Sequence, residues 1–181
     1  IFNKNEIGVV KMEVQRNVPP KEGFLEAVRE LATRNGAVLI FDECTSGFRE
    51  TFGGLHKKHN VEPDIAVFGK ALGNGYAITA VIGRREVMEF AQTTFISSTF
   101  WTERIGPTAA LKTLEVMERD LSWEIITEVG KKVNKIWSDL SSQNNLKLSI
   151  TGLPAITSFS FLSENNLKYK TLVTQEMLKM G

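Results

Sequence analysis

The sequence contains a single cysteine, Cys44, so no disulfide can form within the chain. A chain of 181 residues, 42% of them apolar, can bury a hydrophobic core without disulfide support. Such low cysteine usage is typical of proteins from reducing compartments. We therefore expect a cytoplasmic protein of one domain or slightly more.

Long apolar runs and an excess of either charge are also missing. No run approaches the roughly 20 apolar residues that a membrane-spanning helix requires, and the opening IFNKNE lacks the layout of a secretory signal. The 22 basic residues nearly balance the 21 acidic ones, for a formal charge of +1. This balance predicts no basic face for nucleic acid. We expect neither a membrane nor a nucleic acid as partner.

The apolar patterns that are present predict an α/β fold. Four segments resemble strands or buried strands, and five have helical periodicity. The strand patterns are 7–14, 37–41, 64–68 and 77–82, and the helical ones are 23–34, 85–91, 107–119, 123–140 and 169–180. Alternating residues at 146–162 predict a smaller sheet. We expect a large domain over 1–120, an interdomain helix at 121–145, and the start of a small α+β domain at 146–181.

Asp42 and Lys70 each follow a predicted buried strand. Ligands of open α/β sheets bind at the carboxyl ends of the strands, so this acid and this amine could face one crevice. An acid that keeps a pyridine nitrogen protonated and an amine that forms an imine are what pyridoxal phosphate requires. On spacing alone, a solvated turn lysine and an aspartate that caps the following turn are commoner alternatives.

The surrounding sequence resembles the class III aminotransferases, which have fold type I. FDECTSGFRETFGG is similar to the segment of that family that carries the acid, and PDIAVFGKALGNGYAITAVIGRREVM is similar to its lysine segment. The Gly-Phe-Arg at 47–49 and the later Gly53-Gly54 resemble the glutamate-1-semialdehyde aminomutase branch. The similarity covers about residues 8 to 118. It implies the mostly parallel, three-layer sheet of a pyridoxal-phosphate transferase.

The resemblance also implies a role for individual residues near the cofactor. Lys70 would form the Schiff base and move protons, and Asp42 would pair with the ring nitrogen. Cys44 stands where the family usually has a valine packed on the ring, as a small apolar side chain can. Thr45 could reach the phenolic oxygen of the cofactor, although an ordinary loop role is equally compatible with its position.

Ser98 and Thr99, in the segment SSTF, match the part of the family that reaches the cofactor phosphate of the partner subunit. A homodimer is therefore implied, with Thr99 serving the partner's site. A hydroxyl beside backbone amides suits a phosphate, but a Ser-Ser-Thr run is more often a plain loop. The next residues, WTERIGP, depart from the usual Ser-Gly-Asn-Pro.

These features predict an aminotransferase or aminomutase acting on an amino or keto compound. The chain does not begin with Met, and members of the family are more than twice as long, so we expect a partial chain. The alternative is an inert or regulatory module that keeps the scaffold without turnover. His56 and His59 could share a metal, but a surface loop is the preferred interpretation, and we expect no metal site.

Overall fold

The computed structural model describes residues 5–100 and 102–181; the first four residues and Trp101, which begins the WTERIGP segment, lie outside this part. Its main sheet has four strands in the order β1-β2-β3-β4. The strands are β1 (Val9–Met12), β2 (Val38–Asp42), β3 (Ile65–Phe68) and β4 (Ala80–Gly83). β1 pairs with β2, and β2 with β3, in parallel. The prediction of an α/β fold with a mostly parallel sheet is confirmed.

Helix α1 (Phe24–Arg34) connects β1 to β2 and covers the sheet with its apolar side. Leu25 and Ala32 on this helix pack with Leu39 and Phe41 of β2, and all four side chains are buried. The helix ends where Asn35 and Gly36 turn the chain, with Gly36 at a φ of 64°. A glycine adopts this left-handed conformation without steric cost.

Strand β4 runs antiparallel to β3, with Phe68 opposite Ala80 and Ile65 opposite Gly83. The sequence placed this strand at 77–82, and the observed strand begins three residues later. An apolar run of this length does not reveal the direction of the strand, because the direction depends on the connection before it. Here the connection from β3 contains only 3-10 and irregular turns, with no crossover helix.

Three further helices and a two-stranded sheet follow the short helix α2 (Arg85–Met88). Helices α3 (Ile105–Asp120) and α4 (Ser122–Gln143) are separated only by Leu121, whose φ is 49°. Strands β5 (Leu148–Thr151) and β6 (Ser158–Phe161) pair antiparallel, and α5 (Asn166–Met180) follows them. None of the helices in the described part of the chain is long and apolar enough to cross a membrane.

Helix α4 packs closely against the turn that joins β5 to β6. Gly130 makes this possible, because a Cβ at that position would lie 1.9 Å from the carbonyl oxygen of Pro154. Leu153, in the same turn, is buried in the cluster that contains Leu39 and Phe41. The small sheet is therefore fixed both to α4 and to the core of the main sheet.

Candidate active site

Asp42 and Lys70 lie at the same edge of the main sheet. Asp42 is the last residue of β2 and is paired in register with Val67 of β3. Lys70 follows three residues after Val67, at the start of a 3-10 turn that spans Lys70–Leu72. Because β2 and β3 are parallel neighbours, both chains leave the sheet at their carboxyl ends, where ligands of open α/β sheets bind.

The Asp42 carboxylate is held by two donors. Its Oδ2 lies 2.8 Å from the Lys11 Nζ, and its Oδ1 accepts a hydrogen bond of 3.2 Å from the Cys44 amide. The bond from Lys11 lowers the pKa of Asp42 below its ordinary value, despite partial burial that acts in the opposite direction. Asp42 is thus an ionised acid whose side chain is 25% exposed, which is suitable for pairing with a cationic group.

The Lys70 amine donates a hydrogen bond of 2.8 Å to Thr45 Oγ1. Thr45 lies three residues after Asp42, so this bond joins the chain leaving β3 to the chain leaving β2. Lys70 itself has a φ of 44°, in the left-handed region. Residues other than glycine rarely adopt this conformation, which costs on the order of 1 to 3 kcal/mol and is concentrated at functional sites.

Cys44 lies close enough to Asp42 and to Lys70 for both charges to affect its thiol. Burial and then the charge of Asp42 raise the pKa of its thiol, while the charges of Lys70 and Lys11 act in the opposite direction. The backbone of Gly69 approaches closely, since a Cβ there would lie 3.3 Å from the Cys44 Sγ. The thiol is therefore protonated and behaves as a small apolar group, as its predicted packing role requires.

This donor set fits pyridoxal phosphate. The carboxylate, the thiol, the hydroxyl and the amine follow one another along two connected segments, and the Lys70 amine is exposed and has no carboxylate partner within the described residues. A carboxylate with a lowered pKa can hold a pyridinium nitrogen, and an exposed amine can form an imine.

Ser98 and Thr99 are not brought to this cluster within the single chain. Both side chains are exposed, in the irregular segment that precedes α3. The Ser98 hydroxyl accepts a hydrogen bond of 3.2 Å from the Phe100 amide. In the described part of the chain, no hydrogen bond links either hydroxyl to Asp42 or Lys70. The prediction that Thr99 serves a partner's cofactor stays a prediction.

A cleft of about 920 Å³ adjoins Lys70 and lies between its loop, α3 and the start of α4. The charged residues that line it are all basic: Arg49, Lys70 and Lys112. Burial lowers the pKa of the Arg49 guanidinium, whose Nε donates a long hydrogen bond of 3.4 Å to the Thr45 carbonyl. Asp42 does not line this cleft, which can therefore receive a negatively charged group beside the amine.

A buried polar cluster behind the site was not predicted from the sequence. Glu43 is completely buried, and its Oε1 accepts hydrogen bonds of 2.9 Å from both the amide and the Nδ1 of His56. The Ser46 hydroxyl donates to the other oxygen. Burial by itself would raise the pKa of Glu43, but the bonds from His56 and Ser46 hold it below the ordinary value.

The surface-loop interpretation of His56 is therefore wrong. His56 is 7% exposed because its ring pairs with Glu43, a contact that the spacing from His59 does not reveal. No group of three or more potential ligands among the described residues could hold a metal ion. His56 lies in a 3-10 turn of only five residues. Such a turn is too short to show the periodic spacing of apolar residues that would have indicated a buried face.

Residues 16–181 match the protein family Aminotransferase class-III, which is nearly the whole chain. The chain belongs to the class III aminotransferases. It is 41% identical over 157 residues to a 3-aminobutyryl-CoA aminotransferase of Cloacimonas acidaminovorans, covering 86% of this chain and 38% of that protein. It is 34% identical to a glutamate-1-semialdehyde 2,1-aminomutase of Methanosphaera stadtmanae, covering 96% of this chain and 43% of that protein.

Among solved structures, the FumI protein of Sphingopyxis sp. MTA144, in its PLP internal aldimine form, superposes with a TM-score of 0.84. The match covers 91% of this chain and 41% of that one at 22% identity, so it supports the fold alone. The chain spans about two fifths of the length of the relatives named here. The expected resemblance to class III aminotransferases, with aminomutases among the relatives, is confirmed.

Proposed function

We propose that the protein is a pyridoxal-phosphate-dependent aminotransferase or aminomutase that holds its cofactor through Lys70. The observation that carries this proposal is the hydrogen bond of 2.8 Å from the Lys70 amine to Thr45, just beyond Asp42 at the same sheet edge. Membership of the class III family supports it. When bound, pyridoxal phosphate condenses with amines and serves as an electron sink.

Asp42 binds the ring nitrogen and favours its protonated form. A carboxylate whose pKa is lowered stays ionised at neutral pH, and its negative charge favours the cationic form of a nitrogen placed against it. Cys44, two residues after Asp42, packs its protonated thiol against the ring. Its raised pKa means that the thiol adds no second negative charge beside Asp42.

Lys70 attaches the cofactor and moves the substrate proton at its Nζ. Thr45 orients this amine, because its hydroxyl accepts one of the amine hydrogens and restricts the rotation of a side chain that is otherwise exposed. A hydroxyl is both donor and acceptor, so after the amine has turned away Thr45 can bind the phenolic oxygen of the ring.

Ser98 and Thr99 bind the cofactor phosphate of a second copy of the chain. Their hydroxyls are exposed, and no described contact in the single chain engages the Thr99 side chain. A homodimer follows from this assignment. We also propose that 1–120 is part of the cofactor-binding domain, that 121–145 joins the domains, and that 146–181 begins the small domain.

Borohydride trapping tests the assignment of Lys70. The whole protein, including any sequence outside residues 1–181, is purified with pyridoxal phosphate, reduced and mapped by mass spectrometry. We expect the cofactor on the peptide that contains Lys70. Lys70→Ala should lose the visible absorbance and lower turnover by about 100-fold or more, the scale of a lost general acid-base group. Lys21→Ala, at an exposed position, is the matched control.

Trapping on another lysine, or full absorbance in Lys70→Ala, would contradict the proposal. A requirement for an added keto acid separates the two reaction types. An aminotransferase needs that second substrate, whereas an aminomutase returns the amine to a neighbouring carbon of the same molecule. The relatives include both types, so this measurement decides between them.

A further inference from the structure

We infer that Lys11 is a permanent partner of Asp42, sharing its carboxylate with the cofactor ring nitrogen and weakening the hold of that nitrogen on its proton. This inference rests on the proposed function. It assigns a positioning residue on β1, a strand that carries none of the site residues predicted from the sequence. The basis is the distance of 2.8 Å between Lys11 Nζ and Asp42 Oδ2.

The register of the sheet fixes this contact. Lys11 is paired with Ile40 on the parallel neighbour β2, and Asp42 lies two residues beyond Ile40. Residues two apart on a strand project from the same face, so Lys11 and Asp42 share a face of the sheet. The pair therefore does not depend on a mobile loop, since both members lie in regular strands.

Sharing is possible because a carboxylate accepts more than one hydrogen bond. Its two oxygens offer about four acceptor positions in total. Lys11 occupies one position on Oδ2, and the Cys44 amide occupies one on Oδ1 at 3.2 Å. Acceptor positions remain for a ring nitrogen. The Lys11 side chain is 59% exposed, so its ammonium keeps part of its hydration and need not leave when a second donor arrives.

Lys11 lowers the proton affinity of both Asp42 and the ring nitrogen. The hydrogen bond from Lys11, and to a lesser extent its charge, lower the pKa of Asp42, which makes the carboxylate a weaker base toward any other proton. The Lys11 ammonium also adds a positive charge beside the position of a pyridinium nitrogen, which disfavours the protonated ring. The other titratable groups nearby are Cys44, which acts on Asp42, Glu13, which acts on Lys11, and Lys70, which acts on Cys44.

The test measures the protonation of the ring nitrogen through its ¹⁵N chemical shift. The whole protein is loaded with pyridoxal phosphate that is labelled with ¹⁵N in the ring, and the ¹⁵N chemical shift is recorded at fixed pH. Lys11→Met should move the resonance upfield, toward the value of a fully protonated pyridine. Lys11→Gln should do the same, whereas Lys11→Arg keeps the charge and should resemble the wild type. Lys21→Met is a control for loss of an exposed lysine.

An unchanged ¹⁵N shift in Lys11→Met and Lys11→Gln, with cofactor bound, would overturn the inference and leave the proposed function intact. A wild-type protein that binds no cofactor would instead refute the proposed function. Loss of cofactor binding in both neutral variants would also overturn the inference, because a carboxylate freed from Lys11 should hold the protonated ring more tightly.

A second measurement needs no variant, so misfolding cannot obscure it. The reactivity of the Lys11 amine toward acetic anhydride is followed by mass spectrometry, with and without pyridoxal phosphate. Sharing predicts reactivities that differ by less than about tenfold between the two states, because the ion pair with Asp42 persists. A rise of about tenfold or more on loading would mean that the cofactor displaces Lys11, which contradicts the inference.

Discussion

Removing the Glu43 carboxylate should loosen the segment that carries the candidate site, and the effect can be estimated from the structure. Glu43 is fully buried and accepts hydrogen bonds from the His56 amide, the His56 ring and the Ser46 hydroxyl. Glu43→Ala leaves these donors without an acceptor. Breaking a buried, hydrogen-bonded pair of this kind costs about 3 to 5 kcal/mol.

Glu43→Gln should have a smaller effect because it has nearly the same shape. Its amide oxygen can still accept from His56, and the Ser46 hydroxyl can rotate to accept from the amide nitrogen. The loss is mainly that of charge on these hydrogen bonds, about 1 to 2 kcal/mol. The order wild type, Glu43→Gln, Glu43→Ala is therefore expected for decreasing local stability.

Native-state hydrogen exchange of the His56 amide reports on this local stability. We expect Glu43→Ala to accelerate exchange by about 100-fold or more, since each 1.4 kcal/mol is about tenfold. The Leu39 amide, which donates to Asp64 Oδ2 at 2.7 Å, reports on the main sheet and should change less. Glu22→Gln, at an exposed position, is the control. Exchange of His56 within threefold of the wild type in Glu43→Ala would refute this reasoning.

Asp64→Asn should lower the free energy of unfolding by about 1 to 3 kcal/mol, because Oδ2 accepts bonds of 2.7 Å from both Arg29 and the Leu39 amide. Burial alone would raise the pKa of Asp64, but these bonds hold it below the ordinary value of 3.8. The contribution of Asp64 to the free energy of unfolding is therefore complete well above pH 3.8, and it is lost as the pH falls through the lower pKa of the folded state. Acid unfolding followed by circular dichroism should therefore be less steep in Asp64→Asn. Gly130→Ala should destabilise the protein by about 1 to 3 kcal/mol, although alanine favours helices, because its Cβ would lie 1.9 Å from the Pro154 carbonyl oxygen. An unchanged melting temperature in Gly130→Ala would contradict this packing.

The sequence predicted most of the secondary-structure elements, and it placed Asp42 and Lys70 at one edge of the sheet, because both inferences depend on local patterns. Apolar runs located β2 and β3, and the residues that follow the runs drew attention to Asp42, directly after the first, and to Lys70, two residues after the second. The direction of β4 was not predictable in this way, because its pairing with β3 depends on the path of the intervening chain.

Contacts between side chains from distant segments also could not be predicted from the sequence. Lys11 is a charged residue in an otherwise apolar strand, and nothing local indicates that it pairs with Asp42. Nothing in the local sequence distinguishes Glu43 from the adjacent Asp42, although Glu43 is the more buried of the two acids. Such partners are fixed by the register of parallel strands and by the folding of a turn onto the sheet, which are properties of the tertiary structure.

The antiparallel return of β4 has a topological consequence for the loop that precedes it. Phe68, the last residue of β3, faces Ala80, the first residue of β4, so the chain from Gly69 to Thr79 departs from and comes back to one rim of the sheet. A crossover to a parallel strand would have carried most of this stretch to the far rim. Because both ends of the loop are anchored at this rim, Lys70 and the glycines at 73 and 75 form part of the wall of the cleft, and any change in loop length would reshape that wall.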